Sequence, residues 1–241
     1  MKQTHDLISQ AFNNDFDFSS RYLTIVENIP AVIIYLNSMV DKDIVNQDIA
    51  KVLVNVSIQR KDDTDHRYLL NKIDEALYFT EVEKEENIST IIDGILRGKT
   101  VVLVEGIKEA FILDTAKIDK RNVTEPESEQ VIRGPREGFI ESIQSNIALL
   151  RNRLPIPEFR LQSLEIGQKT KTKVVLGYIE GITNQDLIKE AKKRLNQINM
   201  DRILDSGYVE QLIEDIRRSP FRQVQNTERP DVVVGNLLEG R

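Results

Sequence analysis

The 241-residue chain is 40% apolar and 30% charged, with a formal net charge of −6, two histidines and no cysteine. Such a composition belongs to a globular chain with enough length for a sizeable core in one or two domains. It excludes disulfides, thiol catalysis and cysteine metal sites, leaves only His5 and His66 for a zinc site or a triad, and argues against a nucleic-acid partner.

In chain order, Lys2–Phe12 has the spacing of a short amphipathic helix behind a polar N-terminus that lacks the apolar core of a secretory signal. Tyr22–Val26 and Ala31–Leu36 are β-branched strands separated by Asn28-Ile29-Pro30. The longest apolar run, Ile29–Leu36, is strand-sized, and no stretch reaches the ~18 residues of a transmembrane helix. Asp41–Val56 is predicted helical, capped by Asp41 or Asp43. A charged loop, Gln59–Asp65, precedes a short helix over Tyr68–Leu77. A strand over Ala76–Val82 then leads into an acidic turn at Glu83–Glu86. Asn87 or Ser89 opens a helix through Leu96, closed by Gly98. Thr100–Val104 and Ala110–Leu113 form a hairpin.

Polar, proline-bearing Asp119–Glu129 reads as a linker, dividing the chain into subdomains at 1–120 and 121–241. The second opens with a helix over Ser142–Arg153, stopped by Pro155 and Pro157. Strands follow at Phe159–Ile166 and Thr172–Ile179, then a helix capped by Thr183 or Asn184. A short strand at Arg202–Leu204, a helix over Ser206–Ile216 and a strand at Asp231–Val234 complete it. The fold class is therefore α/β or mixed α+β, each subdomain a small mixed sheet packed with helices. The closing run Asp231–Arg241 reads as a strand and turn, either half of a terminal hairpin or the lead into further chain.

Candidate chemistry is sparse. Gly98-Lys99-Thr100 lacks the earlier glycine of a phosphate-binding loop and leads into a strand, so it is a helix end. None of the acidic clusters at Asp41–Asp43, Asp62–Asp65 and Glu83–Glu86 has the spacing of an EF-hand. Lys169, Lys171 and Lys173 alternate, either on a protected strand face or around a hairpin tip, with an acidic partner or anionic headgroup as the functional alternative. Glu137 and Glu141 are four apart at a helix start, so both carboxylates could share a face as in a two-carboxylate hydrolase, but nothing else assembles around them and the helix dipole accounts for them without catalysis. Arg133 and Arg136 flank Gly134-Pro135, giving either an anion clamp or a salt-bridged loop that fixes the helix start, the latter being the plainer reading. Gly177-Tyr178-Ile179-Glu180-Gly181 is a strand-to-helix corner of the kind that binds ligands in α/β sheets. No nucleophile with a matched base emerges, so the residues make no case for an enzyme and call for no cofactor or metal.

The run Arg133-Gly134-Pro135-Arg136-Glu137-Gly138-Phe139, continued by Glu141-Ser142 and Asn146–Arg151, resembles the signature of the GerA family of spore germination proteins, the A subunits of nutrient germinant receptors. Lys173–Ile182, Asp205–Tyr208, Ser219-Pro220-Phe221, Pro230-Asp231 and Asn236–Arg241 add to the resemblance, which is strong from Val131 onward and looser before it. It implies a soluble N-terminal domain, followed past residue 241 by membrane-spanning helices. It further implies residence in the spore inner membrane with this domain on the core side, B and C subunits as partners, and homo-oligomerisation through the full-length A subunit. The domain would couple nutrient sensing to a membrane ion path, with Arg133, Gly134, Pro135, Arg136, Glu137, Gly138, Asn146 and Arg151 acting between subdomains or in signalling. The alternative is direct binding of a small nutrient, as in a two-lobed solute-binding protein, with Gly177, Tyr178, Glu180 and Gly181 as the ligand corner. An A-like relative outside the nutrient receptors is a further alternative.

Overall fold

The computed structural model describes residues 1–13, 15–25, 29–55, 66–77, 82–117, 137–216, 219 and 221–241. The chain divides into two compact units: Met1–Asn13, Asp17–Arg121 and Pro155–Pro157 form one, and Asn14–Phe16, Asn122–Leu154 and Glu158–Arg241 the other.

The first unit is built on an antiparallel sheet of order β1-β2-β4-β5-β3, from β1 (Phe18–Ile25), β2 (Ile29–Leu36), β3 (Val82–Glu85), β4 (Lys99–Val104) and β5 (Ala110–Asp114). The central strands β2, β4 and β5 are apolar almost throughout because both faces are covered, which overrides the alternation of a one-sided sheet. Ala31, Ile33, Val102, Val104, Phe111 and Leu113 join a core with Val45, Ile49, Leu53 and Ile73 from a π-helical turn (Ile44–Ala50), α2 (Lys51–Asn55) and α3 (His66–Ala76). The opposite face is covered by α4 (Ile88–Leu96), against which α1 (Lys2–Ala11) packs. Asn87 caps α4, its Oδ1 accepting from Ser89 N at 2.9 Å.

Strand β1 starts at Phe18, four residues before the expected Tyr22, and pairs with β2 over its whole length. The expected acidic turn at Glu83–Glu86 is instead mostly β3, whose Glu83 and Lys84 face Ile112 and Phe111 of β5. An edge strand tolerates such charges and is protected by them; Glu83 is paired with Lys99 at 2.7 Å and Lys84 with Asp74. Val56, Gln59–Asp65 and the linker Asp119–Glu129 lie outside the described residues.

The second unit carries α5 (Ile143–Arg153), the antiparallel hairpin β6 (Phe159–Ile166) and β7 (Thr172–Ile179), α6 (Gln185–Asn196), α7 (Ser206–Ile213) and α8 (Pro230–Leu238). Both sheets are antiparallel, so the class is α+β. Ser142, Asn184 and Asp205 cap α5, α6 and α7 through their side-chain oxygens. Helix α7 stops at Ile213, three residues short of the expected end.

Two predicted strands are not formed. At Arg202–Leu204, Ile203 N donates to Thr170 Oγ1 (3.1 Å) and Ile203 O accepts from Thr172 Oγ1 (2.7 Å), so hydroxyls replace a ladder. Asp231–Val234 is the first half of α8: Pro230 stands where a missing N–H costs nothing, and Asp231 lies in the positive first turn. The Val232-Val233-Val234 run looks like a strand by propensity, but this start signal and burial of Pro230 and Leu237 outweigh it. A hydrogen bond from Arg229, Asp231's guanidinium partner, holds the Asp231 carboxyl below its usual range.

Gly98 closes α4 at φ +83°, and a Cβ there would sit 2.9 Å from Met39 O. Gly98→Ala is expected to destabilise the protein by more than ~1 kcal/mol, since conformational strain and the carbonyl clash act together; urea unfolding checks this, and a wild-type midpoint would refute it.

Candidate functional site

Of the signature residues, Arg133, Gly134, Pro135 and Arg136 lie outside the described residues. Glu137 and Gly138 belong to an irregular segment ahead of α5. Glu137 accepts a hydrogen bond from Arg153 in the last turn of that helix, and Gly138 is buried. Phe139 N donates to Glu228 O at 2.7 Å. Asn146 then clamps the next residue: Ile140 N donates to its Oδ1 (2.9 Å), and its Nδ2 donates to Ile140 O (2.6 Å). Glu137 and Glu141 both precede the helix, which starts at Ile143, so they do not share a helical face as the spacing suggested. Glu137 is paired with Arg153, while the clamp and the salt-bridged loop expected of Arg133 and Arg136 both lie outside the described residues.

Arg151 is fully buried, as is the side chain of Asp15 that it meets. Arg151 Nη2 donates to Asp15 Oδ2 at 2.7 Å and Nη1 to Phe159 O at 3.4 Å, and the guanidinium lies 5.4 Å from the centre of the Phe159 ring. Leu161 N also donates to Asp15 Oδ2 (3.3 Å), while Phe16 N donates to Leu161 O (2.8 Å). Asp15 and Phe16 thus lie along β6, and Lys173 Nζ stands 4.7 Å from the Phe16 ring centre. Sequence reasoning grouped Arg151 with the signature but missed Asp15: a carboxylate 136 positions away carries no local signal of its partner.

The corner after β7 satisfies itself. A Cβ on Gly177 would meet Phe159 and Leu161 at 3.3 Å, so glycine permits the close ring packing there. The Tyr178 hydroxyl accepts from Gln162 Nε2 at 2.9 Å, and burial pushes its pKa up. Glu180 Oε2 accepts from Arg160 Nε and Nη2 at 2.8 and 2.7 Å, and Gly181 makes the turn at φ +84°. Neither of two hollows in the second unit is lined by any of these four residues.

Two hollows lie elsewhere in this unit. One, of about 390 Å³, has an apolar floor of Val174, Ile203, Val209, Ile213 and Val224, rimmed by Lys173, Asp205, Glu210 and Gln225. The other, about 610 Å³ and polar, surrounds Arg194. Arg194 donates to Glu190 (2.9 Å), Asp215 (2.6 Å) and Ile213 O (2.8 Å), tying α6 to the end of α7. Hydrogen bonds from Arg194 and then Lys193 hold the Glu190 carboxyl low. Among the described residues, no group of three or more His, Cys, Asp or Glu is placed to hold a metal ion, and no helix is long and apolar enough to cross a membrane.

Comparison with known proteins agrees with the resemblance carried by the signature. The family model for the Bacillus/Clostridium GerA spore germination protein matches residues 6–241. Spore germination protein KA of Bacillus subtilis (strain 168) is 34% identical over 215 residues, 89% of this chain and 39% of its own length. The membrane protein YfkQ of the same organism is 42% identical over 181 residues, 72% of this chain and 35% of its length. The chain therefore spans under two fifths of either relative. The crystal structure of the N-terminal domain of the A subunit of the Bacillus megaterium spore germinant receptor GerK3 superposes with a TM-score of 0.73 at 34% identity, covering 100% of this chain and 88% of that one.

Arg151→Met is expected to cost ~3–5 kcal/mol, because it strands the Asp15 carboxylate in the interior. Asp15→Leu combined with Arg151→Met should recover much of that loss. Equilibrium unfolding of the single and double variants tests the coupling, and a single variant as stable as wild type would refute it.

Proposed function

Because the chain belongs to the GerA family of spore germination proteins, we propose that it works as the N-terminal domain of a germinant receptor A subunit and couples nutrient sensing to the opening of a membrane ion path. The full-length likeness to such a domain at 34% identity carries this reading. Its partners are then receptor B and C subunits and further A subunits, and its place is at the spore inner membrane on the core side.

The form of the described residues suits coupling rather than chemistry. Glu137, Asn146 and Arg151 are each consumed in contacts that brace α5 and its lead-in segment. A braced helix transmits displacement instead of absorbing it, which is what a mechanical linkage needs. Arg133 and Arg136, in the same signature, are assigned to this signalling segment.

Receptors carrying Arg136→Ala or Glu137→Ala are expected to accumulate normally and to germinate several-fold more slowly with nutrient. Germination followed by loss of optical density, alongside quantification of the receptor, tests the assignment. Normal germination in both variants would remove this segment from the mechanism.

A second reading, direct binding of a small nutrient, is favoured by the 390 Å³ groove, whose apolar floor and charged rim suit a small amphipathic molecule. Titration of the domain with amino acids and sugars should then give saturable NMR shifts at Val174, Val209 and Ile213. Shifts that do not saturate, or that avoid these residues, would dismiss the groove.

A further inference from the structure

Strand β7 carries an open ladder. In an antiparallel pair, bonded and non-bonded residue pairs alternate along the strands. Glu180 N donates to Glu158 O at 2.9 Å, which makes that pair a bonded one. Counting back through the register, Tyr178, Leu176 and Val174 bond to β6 opposite Arg160, Gln162 and Leu164. Lys173, Val175 and Gly177 fall on the alternate pairs, so their N–H and C=O groups point away from β6. The far side of the hairpin shows the same phase: Leu161, opposite Gly177, donates its N–H to Asp15 Oδ2 and accepts from Phe16 N at its C=O. The outer edge of β6 is thus engaged. Among the described residues, β7 has β6 as its single ladder partner, and no hydrogen bond takes up the outward groups of Lys173, Val175 and Gly177.

Such an edge is ordinarily shielded by charge. The alternating lysines do not supply that shield. Lys169 is paired with Asp201 at 2.7 Å, Lys171 sits at φ +46° between the strands, and Lys173 Nζ lies 4.7 Å from the Phe16 ring centre. The middle of the strand is Val174-Val175-Leu176, all half-buried.

The register indicates what would cover this edge. A two-fold axis through Val175 sets Lys173 opposite Gly177 of a second copy, Val174 opposite Leu176, and Val175 opposite Val175. Every outward N–H and C=O then finds a partner, and no lysine meets a lysine. Moving the axis along the strand loses bonds. Toward the C-terminus it reaches Ile179, whose N–H is given to Thr183 Oγ1 and whose C=O accepts from Ile182 N and Thr183 N. Toward the N-terminus it reaches Lys171, which has left extended backbone. Opposite residues share a face, so Leu176 of the second copy falls beside Val174, at the apolar groove.

We propose that two copies of the chain pair antiparallel through β7, joining their β6–β7 hairpins into one continuous sheet with its two-fold axis at Val175. A two-stranded hairpin is marginal alone, and a free edge is where a further strand adds. The proposal goes beyond the receptor reading, giving the further A subunits expected there an edge on this chain.

The test is sedimentation velocity of the 241-residue chain over a wide range of concentration, which should show a monomer–dimer equilibrium. Val175→Lys and Val175→Asp should each weaken the dimer roughly tenfold or more, since like charges then face each other across the axis and the apolar pair is lost. An equimolar mixture of the two variants should pair again, as a heterodimer, which a merely misfolded variant would not do. A chain that stays monomeric throughout, charged variants that dimerise as wild type does, or a mixture that remains monomeric each overturns the proposal. All three outcomes leave the receptor role intact, because that role is read from germination.

Discussion

The second unit is organised around a charge pair that no water reaches. Burying a guanidinium and a carboxylate costs several kcal/mol for each ion, repaid only when geometry is close and remaining donors and acceptors are used. Arg151 and Asp15 meet that condition. The 2.7 Å contact is supplemented by Leu161 N on the carboxylate and by Phe159 O and the Phe159 ring on the guanidinium. Three pieces of chain are thereby fixed together: the last turn of α5, the first residues of β6, and the Asp15-Phe16 dipeptide. An isolated two-stranded hairpin is marginal in water. Here β6 gains a backbone partner in Phe16, and the β6–β7 hairpin gains helical cover from α6 and α8.

This pair also changes how Arg151 of the signature is understood. An arginine offered to a ligand needs free donors facing a cavity. Arg151 has its fork turned inward, and Arg153 is spent on Glu137. Arg160, outside the signature, is likewise committed to Glu180. Among the described residues, polar groups in the unit serve mostly to lock geometry, and the hollows around Val209 and Arg194 are lined by other residues than the corner offered as a ligand site.

What could be read from the sequence follows how local the cause was. Strands β4 and β5 and the Asn87 cap of α4 were legible because continuous β-branched apolar runs and a capping asparagine act within a few residues. The family was legible because a contiguous segment carries its signature. Strand β3 was hidden by its own charges, since its strand character comes from pairing with β5 and from its edge position. Helix α8 was hidden by three valines whose β propensity is weaker than a proline start and a buried Leu237. Asp15 was illegible in principle: its identity as a core residue exists only through Arg151 and Leu161.

One device recurs in the second unit and links its rigidity to its surface. Asn146 grips both the N–H and the C=O of Ile140, and Gln223 grips both the N–H and the C=O of Ile216. A carboxamide offers one acceptor and one donor set like a neighbouring strand, so each bracket satisfies a residue that has no ladder. Both gripped residues are isoleucines with exposed side chains, 36% for Ile140 and 63% for Ile216. Ordering a loop ordinarily costs ~1–2 kcal/mol per residue in backbone entropy, which a solvent-facing apolar residue does nothing to offset by itself. Amide brackets supply that ordering from the folded chain beforehand, so a surface that later covers these side chains gains their burial without having to organise the backbone beneath them.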